Sequence, residues 1–507
     1  MNMINDRSMD PQHGVTYEIF DFPDPELAGV ETLLEKDINV ADFFSHQFIL
    51  TNHELDPRFA SWRCLTTQNW SLQVGPDMPA GYLLDINGAV IGYFIGIGVD
   101  SHGRCLSGRT VLAIDSKASS FLGEIEAYFA NMAGRFLAVI DTDWIQRIYV
   151  DPIGDLGMVY DPEGRRIAST LLLALNRSIT ENTIIPYEKI LSGAIYHILG
   201  QTRDAYAKRM LPNHYLDLKS FELYRHWPKE DTNLDQGNLT PERLLYRIIE
   251  KLTNNVDALT RGQNCILPVS SGRDSRNLIG CARDMIDRFE LGFTHSYDHR
   301  YRQYGYKRHK IGAAKSSALI ATEISQKIGL PHNILCTVPT EDEIDLYPYR
   351  TGFVPNRSNS LVMDSINSLP KGRVALMGNV MELLRANQWR KYPIDSETSV
   401  RHALFFRLNY KQHKDEDVVR LHENWRVPLL ENYRPHLYEI QFLEHILPNT
   451  LGAKHYGTKN VFYMSPFADR SIIENCLRLP LEYRRSGQAN TDFLNVVSPD
   501  LAEIDFI

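Results

Sequence analysis

The alternation of apolar and polar positions changes character about halfway along the chain. Up to about residue 220, short apolar runs are broken at close intervals by turn residues, which predicts a strand-rich α+β region. Tyr82-Leu-Leu-Asp-Ile-Asn-Gly-Ala-Val-Ile-Gly92 reads as a hairpin, with Asn87-Gly88 able to supply the positive φ angles of a type I′ turn. Gly134–Asp141 and Gln146–Asp151 read as strands around Thr142-Asp143, and Ser119–Met132 has the apolar spacing of a helix. Gly96-Ile-Gly98 lacks the third glycine of a dinucleotide-binding turn and reads as packed strand. From Trp227 to Leu239 the sequence WPKEDTNLDQGNL is polar and rich in turn formers, which predicts an exposed linker. Beyond it the period lengthens. Thr240 is a helix N-cap candidate with Pro241 at the first helical position, and Leu244, Leu245, Ile248, Ile249 and Leu252 recur at helical spacing. Strand-like runs Cys265–Val269 and Leu291–Thr294 then alternate with helical segments Arg276–Phe289 and Ser316–Ile328, the order of βαβ units in a parallel sheet.

Composition narrows the classes. A chain of 507 residues with 43% hydrophobic and 23% charged residues suits a folded protein of more than one domain. Its net charge of −9 provides no global positive field, which argues against nucleic acid as the main partner. The six cysteines form no C-x-x-C pair, so neither a zinc knuckle nor a redox dithiol is spelled out, and a reducing compartment is expected. The first residues lack the pattern of a secretory signal and no apolar run approaches about 18 residues, so the expectation is a soluble cytoplasmic protein without membrane contact.

The segment richest in chemistry is Ile266-Leu-Pro-Val-Ser-Ser-Gly-Arg-Asp-Ser-Arg276, a buried strand entering a small, hydroxyl-rich turn and then a helix. Such a turn is an anion cradle. Ser270, Ser271 and Gly272 carry little bulk, so main-chain N–H groups can approach phosphate oxygens, and the following helix aims its positive dipole end at the same spot. Ser275 adds a hydroxyl. A carboxylate at Asp274 makes sense inside an anion site if it holds a divalent cation, for which Mg²⁺ is the natural candidate. The alternative is a plain βα turn with Asp274 as a helix cap. No G-x-x-x-x-G-K-[ST] loop occurs.

Val269-Ser-Ser-Gly-Arg-Asp-Ser275 resembles the pyrophosphatase loop, S-G-G-x-D-S, of the asparagine synthetase family, which includes β-lactam synthetases. Other segments follow in the family's order. Gly134–Asp141, Asp151-Pro-Ile-Gly-Asp-Leu-Gly-Met-Val-Tyr160 and Leu211-Pro-Asn-His-Tyr-Leu-Asp-Leu218 are similar to stretches of its N-terminal glutaminase-type domain. Met377-Gly-Asn-Val-Met-Glu-Leu383 falls where the family has its second nucleotide loop, G-x-G-x-[DE]-E, and Tyr463-Met-Ser-Pro-Phe-Ala-Asp-Arg470 resembles its "PFlD" segment. The resemblance implies an Ntn-hydrolase-like β-sandwich domain over residues 1–226, a linker over 227–239, and a PP-loop parallel-sheet domain with a helical C-terminal part over 240–507. It also implies ATP with Mg²⁺ as cofactors. The substrates implied are a small-molecule or peptide carboxylate, adenylated with release of pyrophosphate, and an amine that displaces AMP to give an amide. Carried over by position, Val269, Ser270, Ser271, Gly272, Arg273, Asp274, Ser275, Phe293 and Gly378 would bind nucleotide, with Val269 and Phe293–His295 bordering the adenine. Asp274 and Glu382 would hold the metal, with a structural helix carboxylate the alternative for Glu382; Arg385 is a further catalytic candidate read from the sequence, as a phosphate contact or, alternatively, a surface charge.

Several positions depart from the family pattern. Glutamine-dependent members use a cysteine freed by removal of the initiator methionine. Residue 2 here is Asn2, and Asn87-Gly88-Ala89 lacks the carboxylate of the glutamine-binding NGE, so the first half is expected to be non-catalytic. Ser271 replaces a loop glycine, Val380-Met381 replace small and acidic residues, and Arg273 and Arg276 add positive charges that suit bidentate phosphate contacts or, alternatively, solvated helix positions. No lysine follows Lys459, where amide-forming members place the cation of the acyl-transfer step; Arg484, Arg485 and Lys391 are the candidate substitutes. The first rival is therefore a catalytically degenerate binding or scaffold protein of the same fold. A PP-loop enzyme acting on RNA would bring cysteine pairs and a basic domain, and this sequence has neither. His295, His299, His309 and His332 lack metal-ligand spacing, and the basic, tyrosine-rich run Arg300–Lys310 reads as a surface loop or a phosphate contact.

Overall fold

The computed structural model describes residues 30–193, 196–304, 308–336, 338, 340–354, 368–389, 415–426 and 429–506. Lys391 lies outside them. The protein is a mixed α/β structure with several sheets, one of them parallel. Two predominantly antiparallel sheets form between residues 48 and 225. One has six strands, in the spatial order Lys208–Arg209, Val159–Asp161, Arg166–Ala168, Phe48–Thr51, Ser71–Val74, Arg63–Thr66. The other runs Glu222–Arg225, His214–Asp217, Gln146–Val150, Ala133–Asp141, Val90–Val99, Ala80–Leu84, Thr110–Val111.

Period-2 alternation explains their stacking. Phe48, Leu50, Leu72 and Val74 of the first sheet share one core with Tyr93, Ile95, Ile97, Leu137 and Val139 of the second. The opposite faces carry helices: Phe94, Phe136 and Ala138 pack with Phe121 and Ile125 of the helix Phe121–Ala130, and Ile49, Val159 and Ala168 pack with Leu33, Phe44 and Leu171. The layers thus run helix, sheet, sheet, helix.

The predicted hairpin forms between Ala80–Leu84 and Val90–Val99, with a different turn. Only Gly88 takes a positive φ (82°). The Asp85 carboxylate accepts from the amides of Asn87 (2.9 Å) and Ala89 (2.8 Å), while Gly88 N–H donates to the Asp85 carbonyl (3.0 Å). Those bonds hold Asn87 at negative φ, so the connection is a type I turn closed by a left-handed glycine rather than type I′. The stretch 227–239 is likewise not a simple exposed linker. Trp227 and Leu234 are buried in the main core, and Trp227 donates through Nε1 to Glu474 (2.9 Å) and stacks under Arg470.

The parallel sheet comprises β1 (Cys265–Pro268), β2 (Gly292–His295), β3 (His332–Leu335), β4 (Arg373–Leu376) and β5 (Val461–Met464), in the order β3-β2-β1-β4-β5. All its pairings are parallel. Apolar side chains are buried on both faces: Ile266, Phe293, Ala375 and Tyr463 on one, Leu267, Val374, Leu376 and Met464 on the other. The helices used below are α1 (Pro241–Gly262), α2 (Arg273–Cys281), α3 (Arg308–Ile328), α4 (Arg470–Arg478) and α5 (Gln488–Val497). Thr240 caps α1 by accepting from the Arg243 amide at 3.3 Å, as its sequence position predicts. The order in which successive strands are added reverses between β1 and β4, and the carboxyl ends of strands at such a switch point are where doubly wound sheets bind ligands.

Buried polar contacts join the two halves. Arg135 donates to the main-chain carbonyls of Asp155 (3.0 Å) and Tyr463 (3.1 Å) and stacks over Phe462. His455 Nδ1 meets Asp155 Oδ1 at 2.6 Å. Glu444 receives both Arg225 guanidinium nitrogens (2.5 and 2.8 Å), Asn213 Nδ2 (2.7 Å) and Trp425 Nε1 (2.6 Å). Among the described residues, no helix is long and apolar enough to cross a membrane.

Candidate functional site

The turn leaving β1 lies at the switch point. Val269 is held by its amide on the Phe293 carbonyl (2.8 Å) and by its carbonyl under the Thr294 hydroxyl (2.5 Å). Ser270 Oγ then meets Ser275 Oγ at 2.7 Å and accepts from the Gly272 amide at 3.1 Å. Ser271 is tied to α3, its hydroxyl 2.9 Å from Ser317 Oγ. The loop thus spends two of its own amides, those of Ser271 and Gly272, on serine hydroxyls. The first-turn N–H groups of α2, which have no intrahelical acceptor, remain as its anion donors.

Gly272 has φ −74°, and a Cβ there would meet only Ser270 Oγ at 3.2 Å. Backbone geometry therefore does not require glycine at this position. Gly378, just beyond β4, is different. A Cβ on it would lie 2.7 Å from the Asp274 carbonyl oxygen, so this glycine lets the second loop pack directly on the first turn of α2.

The second loop continues into a single 3₁₀ turn, Met381–Arg385. Residues three apart eclipse in such a turn, so Glu382 and Arg385 share a side. Arg385 Nη2 meets Asp274 Oδ2 at 2.5 Å. Ser465, following β5, steadies the loop by donating to the Asn379 carbonyl at 2.8 Å. Asp274, Glu382, Arg385 and Gly378 are therefore brought together from segments more than a hundred residues apart in sequence.

The electrostatics of this cluster are unbalanced. Burial pushes the Asp274 carboxyl above the usual carboxylate range, with Arg385 opposing. Burial, reinforced by the Asp274 charge, pushes Glu382 up to about 7. Asp274 Oδ1 and Glu382 Oε2 are buried with no hydrogen-bond partner, as are Asn379 Oδ1 and Arg385 Nε. Two orphaned carboxylate oxygens beside helix N–H donors fit a hard divalent cation with phosphate oxygens.

Other expectations fare differently. Val269 and Phe293 are almost fully buried in the core beneath the loop, so their side chains do not border an open surface. Arg276 is neither solvated nor a phosphate ligand. Its guanidinium, 0% exposed, donates to the carbonyls of Ser271 (3.1 Å), Leu501 (3.2 Å), Ile504 and Asp505 (2.5 Å each) and lies over Phe506. Arg273 also faces that ring, at 4.9 Å. Arg484 is buried on the Leu383 and Leu479 carbonyls and on Glu439 (2.8 Å), which removes it as a substitute for the lysine. Arg485 remains on the surface, paired with Glu482. Among the described residues, His295, His299, His309 and His332 form no metal cluster, and Arg300 pairs with Asp298.

Sequence reasoning missed Ser317, the strained turn ends at Val380 and Ala386, and the segment around Leu501–Phe506 that grips Arg276. None has a local motif that announces it. No family model and no curated protein matches the chain.

Proposed function

We propose that this chain is an ATP-dependent, AMP-forming ligase of asparagine synthetase type. It adenylates a small-molecule or peptide carboxylate and passes the acyl group to an amine without hydrolysing glutamine. One observation carries the reading: Asp274, in the first turn of α2, and Glu382, in the 3₁₀ turn that follows β4, each present a buried oxygen with no hydrogen-bond partner. The resemblance of Val269–Ser275 and Met377–Leu383 to the two nucleotide loops of that family supports it.

In this reading Asp274 and Glu382 would hold Mg²⁺, which when bound would supply positive charge to a departing pyrophosphate. Ser270, Ser275 and the first-turn amides of α2 orient the polyphosphate, so that a substrate carboxylate oxygen attacks the α-phosphorus and pyrophosphate departs. The amine then attacks the acyl carbon and AMP leaves with the bonding electrons. The two-layer antiparallel half is non-catalytic and supports the synthetase half through the Arg135, His455 and Glu444 contacts.

Carboxylate-dependent exchange of labelled pyrophosphate into ATP, run over a panel of amino acids and small acids with wild type and Asp274→Ala, tests this. Exchange with at least one acid, abolished by the substitution, is expected. Exchange that is absent throughout or indifferent to Asp274 sinks adenylation. The second reading, a scaffold that keeps the fold without the chemistry, is favoured by the burial of Arg276 and Arg484 on main-chain carbonyls, which takes both cations out of the crevice. It predicts that ATP binds weakly or not at all, with or without Mg²⁺.

A further inference from the structure

The turn Met381–Arg385 is bracketed by two residues in the left-handed region, Val380 at φ 74° and Ala386 at φ 40°, both completely buried. L-residues with a Cβ avoid this region, a β-branched valine most of all. The fold tolerates strain at both ends of one five-residue turn, and what the turn delivers is Glu382 and Arg385 to Asp274. The ion pair is the closest contact of that delivery. Arg385 uses Nη2 on Asp274 Oδ2, while its Nε carries no hydrogen bond, so part of the guanidinium fork is not committed.

Charge arithmetic gives this placement a meaning. With both carboxyls deprotonated, as a bound cation requires, Asp274 and Glu382 carry two negative charges and Arg385 returns one positive charge from the side, so the cluster is net negative by one. A single divalent ion then makes the site net positive, and the polyphosphate meets that charge together with the N-terminal end of α2. Without Arg385 the same ion would only neutralise the two carboxylates.

Resting on the nucleotide-binding reading above, we propose that Arg385 is a resident counter-ion of the phosphate site that does the work of a second divalent cation. In the free protein it neutralises Asp274; with nucleotide bound the side chain turns so that Nε–H, buried and unpartnered in the free protein, and a second N–H take a phosphate oxygen pair, bidentate recognition that lysine cannot reproduce. The protein therefore binds ATP with a single Mg²⁺ and retains part of its affinity with none.

The test is equilibrium binding of ATP to the full chain across a Mg²⁺ titration that begins in EDTA, for wild type, Arg385→Met and Arg385→Lys. Wild type is expected to bind in EDTA and to gain affinity in one step whose linkage slope is near one ion per nucleotide. Arg385→Met should bind at least about tenfold more weakly than wild type in EDTA, the loss expected for a charge-assisted hydrogen bond, and recover most of the difference at high Mg²⁺. Arg385→Lys should fall between them. Equal affinities in EDTA for wild type and Arg385→Met overturn the inference, as does a wild-type slope near two, which needs no variant to fold. If wild type binds no ATP at any Mg²⁺ concentration, the nucleotide-site reading itself fails and this inference falls with it.

Discussion

Replacing Arg276 by methionine keeps an apolar stem of similar length and deletes the guanidinium that ties the Ser270–Gly272 turn to residues 501–505. Four hydrogen bonds from a charged donor, at about 1.5–3 kcal/mol each, sum to roughly 6–12 kcal/mol. That sum overstates the loss, because the chain has a cheaper response. The segment around Leu501–Phe506 can undock and return its carbonyls to water, so the observable cost is capped by what else holds it down. Leu501 and Ile504 bury their side chains, at about 1.5–3 kcal/mol each, and Lys327 donates to the Asp500 carbonyl at 2.7 Å. We expect a net cost of about 3 kcal/mol, expressed as local opening and not as global unfolding. Native-state hydrogen exchange read by mass spectrometry should show peptides covering 499–506 exchanging roughly two orders of magnitude faster in Arg276→Met. Peptides covering 269–272 should be less affected, because Ser271 keeps its bond to Ser317. A variant that folds and shows unchanged protection at 499–506 would refute the claim that Arg276 fastens this segment.

Three further outcomes follow from the same structure. Gly378→Ala sets a methyl 2.7 Å from the Asp274 carbonyl oxygen, so it should force the two loops apart and lower both the unfolding midpoint and ATP affinity; Gly272→Ala meets only Ser270 Oγ at 3.2 Å and should lose ATP affinity with an unchanged midpoint. Burial holds His46 and His214 down at about 4 and His197 and His445 down at about 3. Below pH ~6.5 the unfolded chain takes up these protons and the folded chain does not, so stability is fully present above that pH and is lost as pH falls, by about 1.4 kcal/mol per unit for each group. The four rings together lose roughly 8 kcal/mol between pH 7 and 5, while Asp151 and Glu382, held up to about 7 by burial, return roughly 4, so the unfolding free energy from urea titration should fall by roughly 4 kcal/mol, and a rise would contradict the burial assigned to these rings. Glu444→Gln leaves Arg225 without its counter-charge inside the seam, a change worth about 3–5 kcal/mol that thermal unfolding should register as a clear drop in midpoint.

Much of the parallel-sheet half was legible in the sequence because its signals are local. The capped start at Thr240, the strand at Cys265 and the small-residue turn at Ser270–Gly272 are each set by neighbours within a few positions, and each forms where its sequence indicates. Asp274 and Glu382 were legible as partners only through the order of motifs, since residue types alone do not bring β1 beside β4. The type I′ turn was misjudged because the Asp85 carboxylate captures the loop amides and outweighs the preference of Asn87-Gly88. Arg276 was misjudged for a different reason. Three of its four acceptors are 225 to 229 residues away, and a charged residue near the start of a helix otherwise belongs in solvent. The linker looked exposed by composition, yet Trp227 and Leu234 are apolar enough to be drawn into the core.

The Glu444–Arg225 pair has a meaning for biosynthesis as well. The partners are separated by 219 residues, so at about 5–20 residues per second Arg225 emerges from the ribosome roughly 10–40 s before its carboxylate exists. Throughout that interval the nascent first half carries a seam of incompletely matched polar groups, among them Asn213, whose Glu444 acceptor comes later, and Arg135, whose Tyr463 acceptor comes later. The antiparallel half therefore completes its seam only after residue 444 is translated, and messages truncated before that point should yield products that are cleared rather than stored.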